Sequence, residues 1–244
     1  MNIVFAGYRK WSYKILRNLL EAQNRKWHIS QIITTRYPET NFHDTAIPCL
    51  SIDPKNLRNQ TIKNVCPKTP DLFLFYGWSW IIPKDIYTKY LCLILHPSPL
   101  PKYRGGSPLQ HQIINGETTS AVTILQAGEK IDAGSIYTQT PFSLTGTLDN
   151  IFARIVTVGT QDTTKVLGSI ANKTIRPLTQ DESLATVFKR RKPEESELTI
   201  KDIQTKTSVE LYNFIRALTD PYPNAFIKCK DGKKLLITDA RLEP

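Results

Sequence analysis

LCLILHPSPLPKYRGGSP, residues 91–108, is an unbroken apolar run that stops on His96 and then turns through four prolines, a Lys-Tyr-Arg cluster and two glycines. A continuous apolar run of this length predicts a strand buried on both faces of a parallel sheet. Three other stretches share the pattern: NIVFAG (2–7), HISQIIT (28–34) and DLFLFY (71–76). Between the first two lies SYKILRNLLEA (12–22), where Ile15, Leu16, Leu19 and Leu20 recur at helical spacing. Strand, helix, strand, loop, strand predicts an α/β fold built on a doubly wound, open, mostly parallel sheet of Rossmann-like type. Ligands of such sheets gather at the carboxyl ends of the strands. His96 stands at one such end, and GYRKWS (7–12) and GWSWIIP (77–83) follow two others.

Downstream, the pattern predicts a short helix over 109–114 and two strands, AVTILQ (121–126) and SIYTQT (135–140). AGEKIDAG (127–134) joins them and puts Asp132 on a loop. Ile151, Phe152, Ile155 and Val156 mark one face of a helix over 148–171. A first domain is therefore expected over 1–172. Residues 173–207 are polar and proline-containing and read as an extended crossing segment; the basic run FKRRKP (188–193) within it lacks interleaved aromatics and reads as a solvated linker. A small appendage over 208–244 is expected to hold a helix (208–218), a turn at DPYPN (220–224) and a hairpin whose Asp-Gly suits a tight turn.

The chain of 244 residues has 40% hydrophobic and 22% charged residues, ordinary values for a globular protein. A net charge of +10 directs attention to anionic partners: nucleic acid, a nucleotide or a polyanionic cofactor. No apolar stretch is long enough to span a bilayer and no basic leader precedes one, so a cytoplasmic protein without a membrane partner is expected. The four cysteines, Cys49, Cys66, Cys92 and Cys229, are far apart and lack paired spacing, which predicts reduced structural thiols. Spacing for metal ligands is absent, and so are the GxSxG, HExxH, P-loop and GxGxxG patterns.

A histidine held at a strand end by Pro97, Pro99 and Pro101 is placed as a general base must be. Asp132-Ala-Gly134 allows a carboxylate on a tight loop where glycine tolerates an unusual backbone angle. If that loop folds toward His96, the two side chains make a base and its orienting carboxylate.

The ordered set His96-Pro-Ser-Pro-Leu-Pro-Lys-Tyr-Arg-Gly, Gly106-Ser-Pro with Gln110, Asn115-Gly-Glu117, Thr123 and Asp132-Ala-Gly resembles the formyltransferases that depend on 10-formyltetrahydrofolate. The likeness covers roughly residues 1–140, and DPYPNAF resembles the appendage of the tRNA and sugar enzymes. It implies attack of a substrate amine on the formyl carbon, with an Asn, His and Asp triad. His96 and Asp132 match as catalytic residues; Ile94 stands where the motif has Asn. The Ser98 hydroxyl, the imidazole itself or a loop N–H are the candidate substitutes for that missing donor. By the same resemblance Gly77, Trp78, Ile81, Ile82, Pro83, Lys130 and Asp132 hold the folate, while Ser98, Tyr103, Arg104 and Gly105 face the amine substrate. The short tail favours the sugar N-formyltransferases and so a nucleotide-linked amino sugar as partner; nucleic acid is not expected, and a homodimer is left open. Two alternatives stand beside this reading: an enzyme acting on methionyl-tRNA with a shortened appendage, and a homologue that binds but has lost the chemistry.

Overall fold

The computed structural model describes residues 1–57 and 69–243; Cys66 lies outside them. The main sheet has seven strands in the order β3-β2-β1-β4-β5-β7-β8: Asn2–Ala6 (β1), His28–Thr35 (β2), Cys49–Ile52 (β3), Leu72–Tyr76 (β4), Leu91–His96 (β5), Thr119–Gln126 (β7) and Ile136–Ser143 (β8). Pairings from β3 through β5 are parallel, and β7 and β8 add antiparallel. The strand β3 was not anticipated, because CLSI is four residues long with little apolar contrast to its surroundings.

Alternation along the strands divides the core between two faces. Ile3, Phe5, Leu72, Leu74, Leu93 and Leu95 point to one side, where they meet Ile15, Leu16 and Leu19 of Lys10–Ala22 (α1) and Ile151, Ile155 and Leu167 of Leu148–Ala171 (α4). Val4, Ala6, Phe73, Phe75 and Cys92 point to the other, under Ile86 of Lys84–Tyr87 (α2), Tyr90 and Leu57. Each fully buried aliphatic side chain in these layers stabilises the fold by about 1.5–3 kcal/mol. Cys92 belongs to this packing, and burial pushes its thiol up to about 12. Cys49, Cys92 and Cys229 are free, but Cys229 is exposed and packs against nothing in the core.

The strand order reverses between β1 and β4, so the crevice of a doubly wound sheet opens beyond their carboxyl ends at Gly7 and Gly77. The β5 strand runs parallel beside β4 and ends on the same rim at His96. Beyond His96, the two-residue strand Arg104–Gly105 (β6) leads into Pro108–Ile114 (α3).

Residues 173–207 are more structured than an extended segment. Val187–Phe188 (β9) pairs with β6, and Ile200–Thr205 (α5) is a helix capped reciprocally by Thr199 and Asp202. A second capping box, Thr207 with Glu210, starts Ser208–Arg216 (α6), and a hairpin of Ala225–Lys228 (β10) and Lys234–Ile237 (β11) follows. Phe214, Ile215, Leu218 and Ala225 share one buried cluster with Ile3 and Leu93, so the appendage is continuous with the main core. Among the described residues no helix is long and apolar enough to cross a membrane.

Candidate active site

A cleft of about 910 Å³ opens at the carboxyl rim of the sheet. His96 lines it and is 6% exposed. Its Nε2 lies 2.9 Å from the carbonyl oxygen of Tyr103. A carbonyl only accepts, so Nε2 carries the proton and donates. That bond requires Tyr103 to turn its carbonyl inward, which it does in a left-handed conformation (φ 60°). Such a backbone costs about 1–3 kcal/mol in a bulky residue. Offsetting bonds hold it there: Tyr103 N–H donates to Thr186 Oγ1, its hydroxyl donates to Glu117, and its ring stacks on Phe188.

With Nε2 committed to Tyr103, Nδ1 is the remaining ring nitrogen. It faces Asp132 Oδ2 at 3.5 Å, and that oxygen accepts the Gly105 N–H at 2.8 Å. The two atoms are close enough for one proton to join them. The imidazole is thus held on both sides, by the Tyr103 carbonyl at Nε2 and by Asp132 facing Nδ1.

Asp132 itself has the left-handed conformation (φ 51°), which aspartate tolerates better than most residues. Gly134, expected to supply the unusual angle, is needed for space: a β-carbon there would sit 1.9 Å from the carbonyl oxygen of Gln126. Gln180 ties this loop down by donating through Nε2 to the carbonyls of Asp132 (2.9 Å) and Gly134 (2.8 Å).

Gly77, Trp78, Ile81, Ile82, Pro83, Lys130, Asp132, Gly105 and His96 all line this one cleft. Three residues assigned to the amine substrate do not. Ser98 is fully buried and donates to the Lys102 carbonyl, so it supplies no donor in place of Ile94. The guanidinium of Arg104 is bound by Gln180 Oε1 and by both carboxylate oxygens of Glu182, and Arg104 is not part of the cleft lining. Tyr103 acts through its carbonyl, with its ring packed away. Gly105 meets the cleft, but its N–H holds Asp132 and its positive φ of 94° fits the pairing with β9; a β-carbon would meet Phe188 O at 2.3 Å.

The main electrostatic feature of the site carries no sequence motif. Lys189, Arg190, Arg191 and Lys192, taken for a solvated linker, line the cleft together with Arg9, Lys84 and Lys130, against only Glu129 and Asp132. The pairing of β9 with β6 carries that basic run back over the site. Burial lowers the Arg191 guanidinium from its ordinary value, with the charge of Glu195 opposing. Trp78 packs edge-on between Phe75 and Trp80, Arg190 donates to the neighbouring Ser79 carbonyl, and Ile81 (71% exposed) and Ile131 (58%) present uncovered apolar surface to the cleft. The indole Nε1 of Trp78 is buried without a hydrogen-bond partner. An apolar slot with a polar edge fits a flat heteroaromatic ring, and the basic wall fits carboxylates or phosphates. Among the described residues no cluster of side chains suits a metal ion.

Residues 13–167 match the formyl transferase family. A methionyl-tRNA formyltransferase of Lysinibacillus sphaericus is 30% identical over 95% of this chain and 76% of its own length. The structure of a methionyl-tRNA formyltransferase from Clostridium thermocellum superposes with a TM-score of 0.78 at 29% identity, covering 100% of this chain and 94% of that one. A 4-N formyltransferase from Francisella tularensis shares the fold with a TM-score of 0.81 at 20% identity, over 100% and 98% of the two chains.

Proposed function

The chain belongs to the formyl transferase family and is a formyltransferase that uses formyl-tetrahydrofolate, and from that premise we propose that it formylates the amine of a nucleotide-linked amino sugar in the cleft beside His96. The observation that carries this reading is the basic wall: Lys189, Arg190, Arg191 and Lys192 border the same confined space as the catalytic pair. A volume of about 910 Å³ lies near the top of the ~300–1,000 Å³ range of small-molecule sites, which suits two ligands side by side. A diphosphate on the basic side would place its sugar toward His96.

The folate, when bound, supplies a formyl carbon with an aryl amine as leaving group. Trp78, Ile81, Ile82 and Pro83 would hold its ring system, and Lys130 would meet its carboxylates. His96 Nδ1 accepts the proton that the attacking amine sheds, and that proton then lies between Nδ1 and Asp132 Oδ2. The Tyr103 carbonyl keeps the ring from rotating during the transfer, so the base stays aimed at one point. The two side chains are only 8% and 10% exposed, which limits the water that would compete with the amine.

A second reading is favoured by the sequence identities of 30% and 29% to methionyl-tRNA formyltransferases: the amine would be that of an aminoacyl-tRNA. Incubating the protein with 10-formyltetrahydrofolate and either nucleotide-linked amino sugars or methionyl-tRNA separates the two. An N-formyl sugar product supports the first; formylation of methionyl-tRNA alone, with steep salt dependence, supports the second.

A further inference from the structure

Acyl transfer to an amine places negative charge on the carbonyl oxygen in the transition state, and a positioned donor at that oxygen is worth about 10²–10³ in rate. The side chains around His96 are poor in such donors. Ile94, two residues back on the same face of β5, is apolar and lines the cleft. The His96 Nε2–H is given to Tyr103, Thr123 Oγ1 donates to the Ser98 carbonyl, and Gln112 Nε2 donates to the carbonyls of Pro97 and Pro108.

Gln110 differs from all of these. It is only 4% exposed, it lines the cleft, and its amide makes no hydrogen bond among the described residues. Without a partner inside the protein, this amide is free to bond a ligand in the cleft, an interaction worth about 0.5–1.5 kcal/mol. The Gln110 amide atoms are not sealed, whereas the unpaired donor Trp78 Nε1 on the same cleft wall is closed off from solvent. Two bonds register its helix against the catalytic pair: Gln112 to Pro97, next to His96, and Gly105 N–H to Asp132 just before α3 begins.

We propose that the Gln110 side-chain amide donates to the formyl oxygen of the bound donor, doing from α3 what an amide at position 94 would do from β5. The inference rests on the formyltransferase reading and is independent of which amine is the acceptor. As the amine nitrogen bonds to the formyl carbon, the carbonyl electron pair moves to oxygen and meets the Gln110 N–H. When it returns, the bond to the folate nitrogen breaks and that nitrogen takes the proton that His96 accepted from the amine, which restores the imidazole.

The test compares wild type with Gln110→Ala and with the isosteric Gln110→Glu, which keeps shape and loses the donor. Rates are measured on whichever amine the wild type formylates, so a wrong acceptor shows in the wild type itself and a wrong role for Gln110 shows only in the ratio. The expected result is a kcat loss of about 10²-fold in both variants with KM held within about twofold. Adding Ile94→Asn to Gln110→Ala should recover at least about tenfold, which a purely structural role would not allow. A second readout needs no turnover: the carbonyl stretch of an isotope-labelled 10-formyl folate analogue should be lowered on wild type and return toward its solution value on Gln110→Glu. Retention of kcat within about threefold in Gln110→Glu, or an unshifted carbonyl band on wild type, would overturn the proposal.

Discussion

Replacing Asp132 by Asn separates the charge of this side chain from its shape. Asn tolerates the left-handed backbone at position 132 as Asp does, and its carbonyl oxygen can still accept the Gly105 N–H. Only the charge assistance of that bond is lost, about 1 kcal/mol, or about 2–4 °C in Tm for a protein of this size. The effect on rate is larger. With Asp132 Oδ2 3.5 Å from Nδ1, a protonated imidazole gains about 5 kcal/mol of attraction at an effective dielectric constant of about 20. Half of that, after water shields the open side, is still about 10² in rate at about 1.4 kcal/mol per decade. The expected outcome is therefore a kcat lower by about 10²- to 10³-fold with near-native melting. Steady-state formyl transfer and a thermal melt on the same preparation measure both. A kcat within threefold of wild type at an unchanged Tm would refute the assignment of Asp132 to the proton on Nδ1.

Arg104→Lys should cost about 2 kcal/mol in denaturant unfolding, because lysine cannot span Gln180 and both Glu182 oxygens, and the KM for the amine should stay unchanged. Burial holds the Asp162 carboxyl above the ordinary carboxylate range, with the Thr140 hydrogen bond and Lys165 partly offsetting it. The folded state thus binds this proton more tightly than the unfolded state, and the site's contribution becomes more favourable as pH falls from neutral through the folded pKa. Asp162→Asn should accordingly raise Tm at neutral pH, with the gap over wild type closing in acid. Rising salt should increase the KM of the nucleotide-linked amine more than that of an uncharged amine, since seven basic side chains line the cleft.

Much of the sheet was legible because β1, β4 and β5 are apolar runs of strand length, β2 is rich in β-branched residues, and turn residues bound them. The strand β3 and the pair β6 and β9 were not, since two to four residues carry no periodicity. The rim position of His96 followed from the end of β5. The orientation of its ring did not, because it depends on a backbone carbonyl presented by a left-handed tyrosine. Arg104 was misassigned for a related reason: its partners Gln180 and Glu182 lie 76 and 78 residues away, and only the crossing segment's return brings them in. That same return turns residues 189–192 from an apparent linker into a cleft wall.

Formyl transfer in this cleft depends on His96, and the single-turnover rate of N-formyl product formation by wild type and His96→Asn reads that dependence without intermediate steps. Both proteins are supplied with saturating 10-formyltetrahydrofolate and a nucleotide-linked amino sugar. Loss of the base predicts a fall of about 10²–10⁴ in that rate with both ligands still bound. Equal rates in the two proteins would contradict the account.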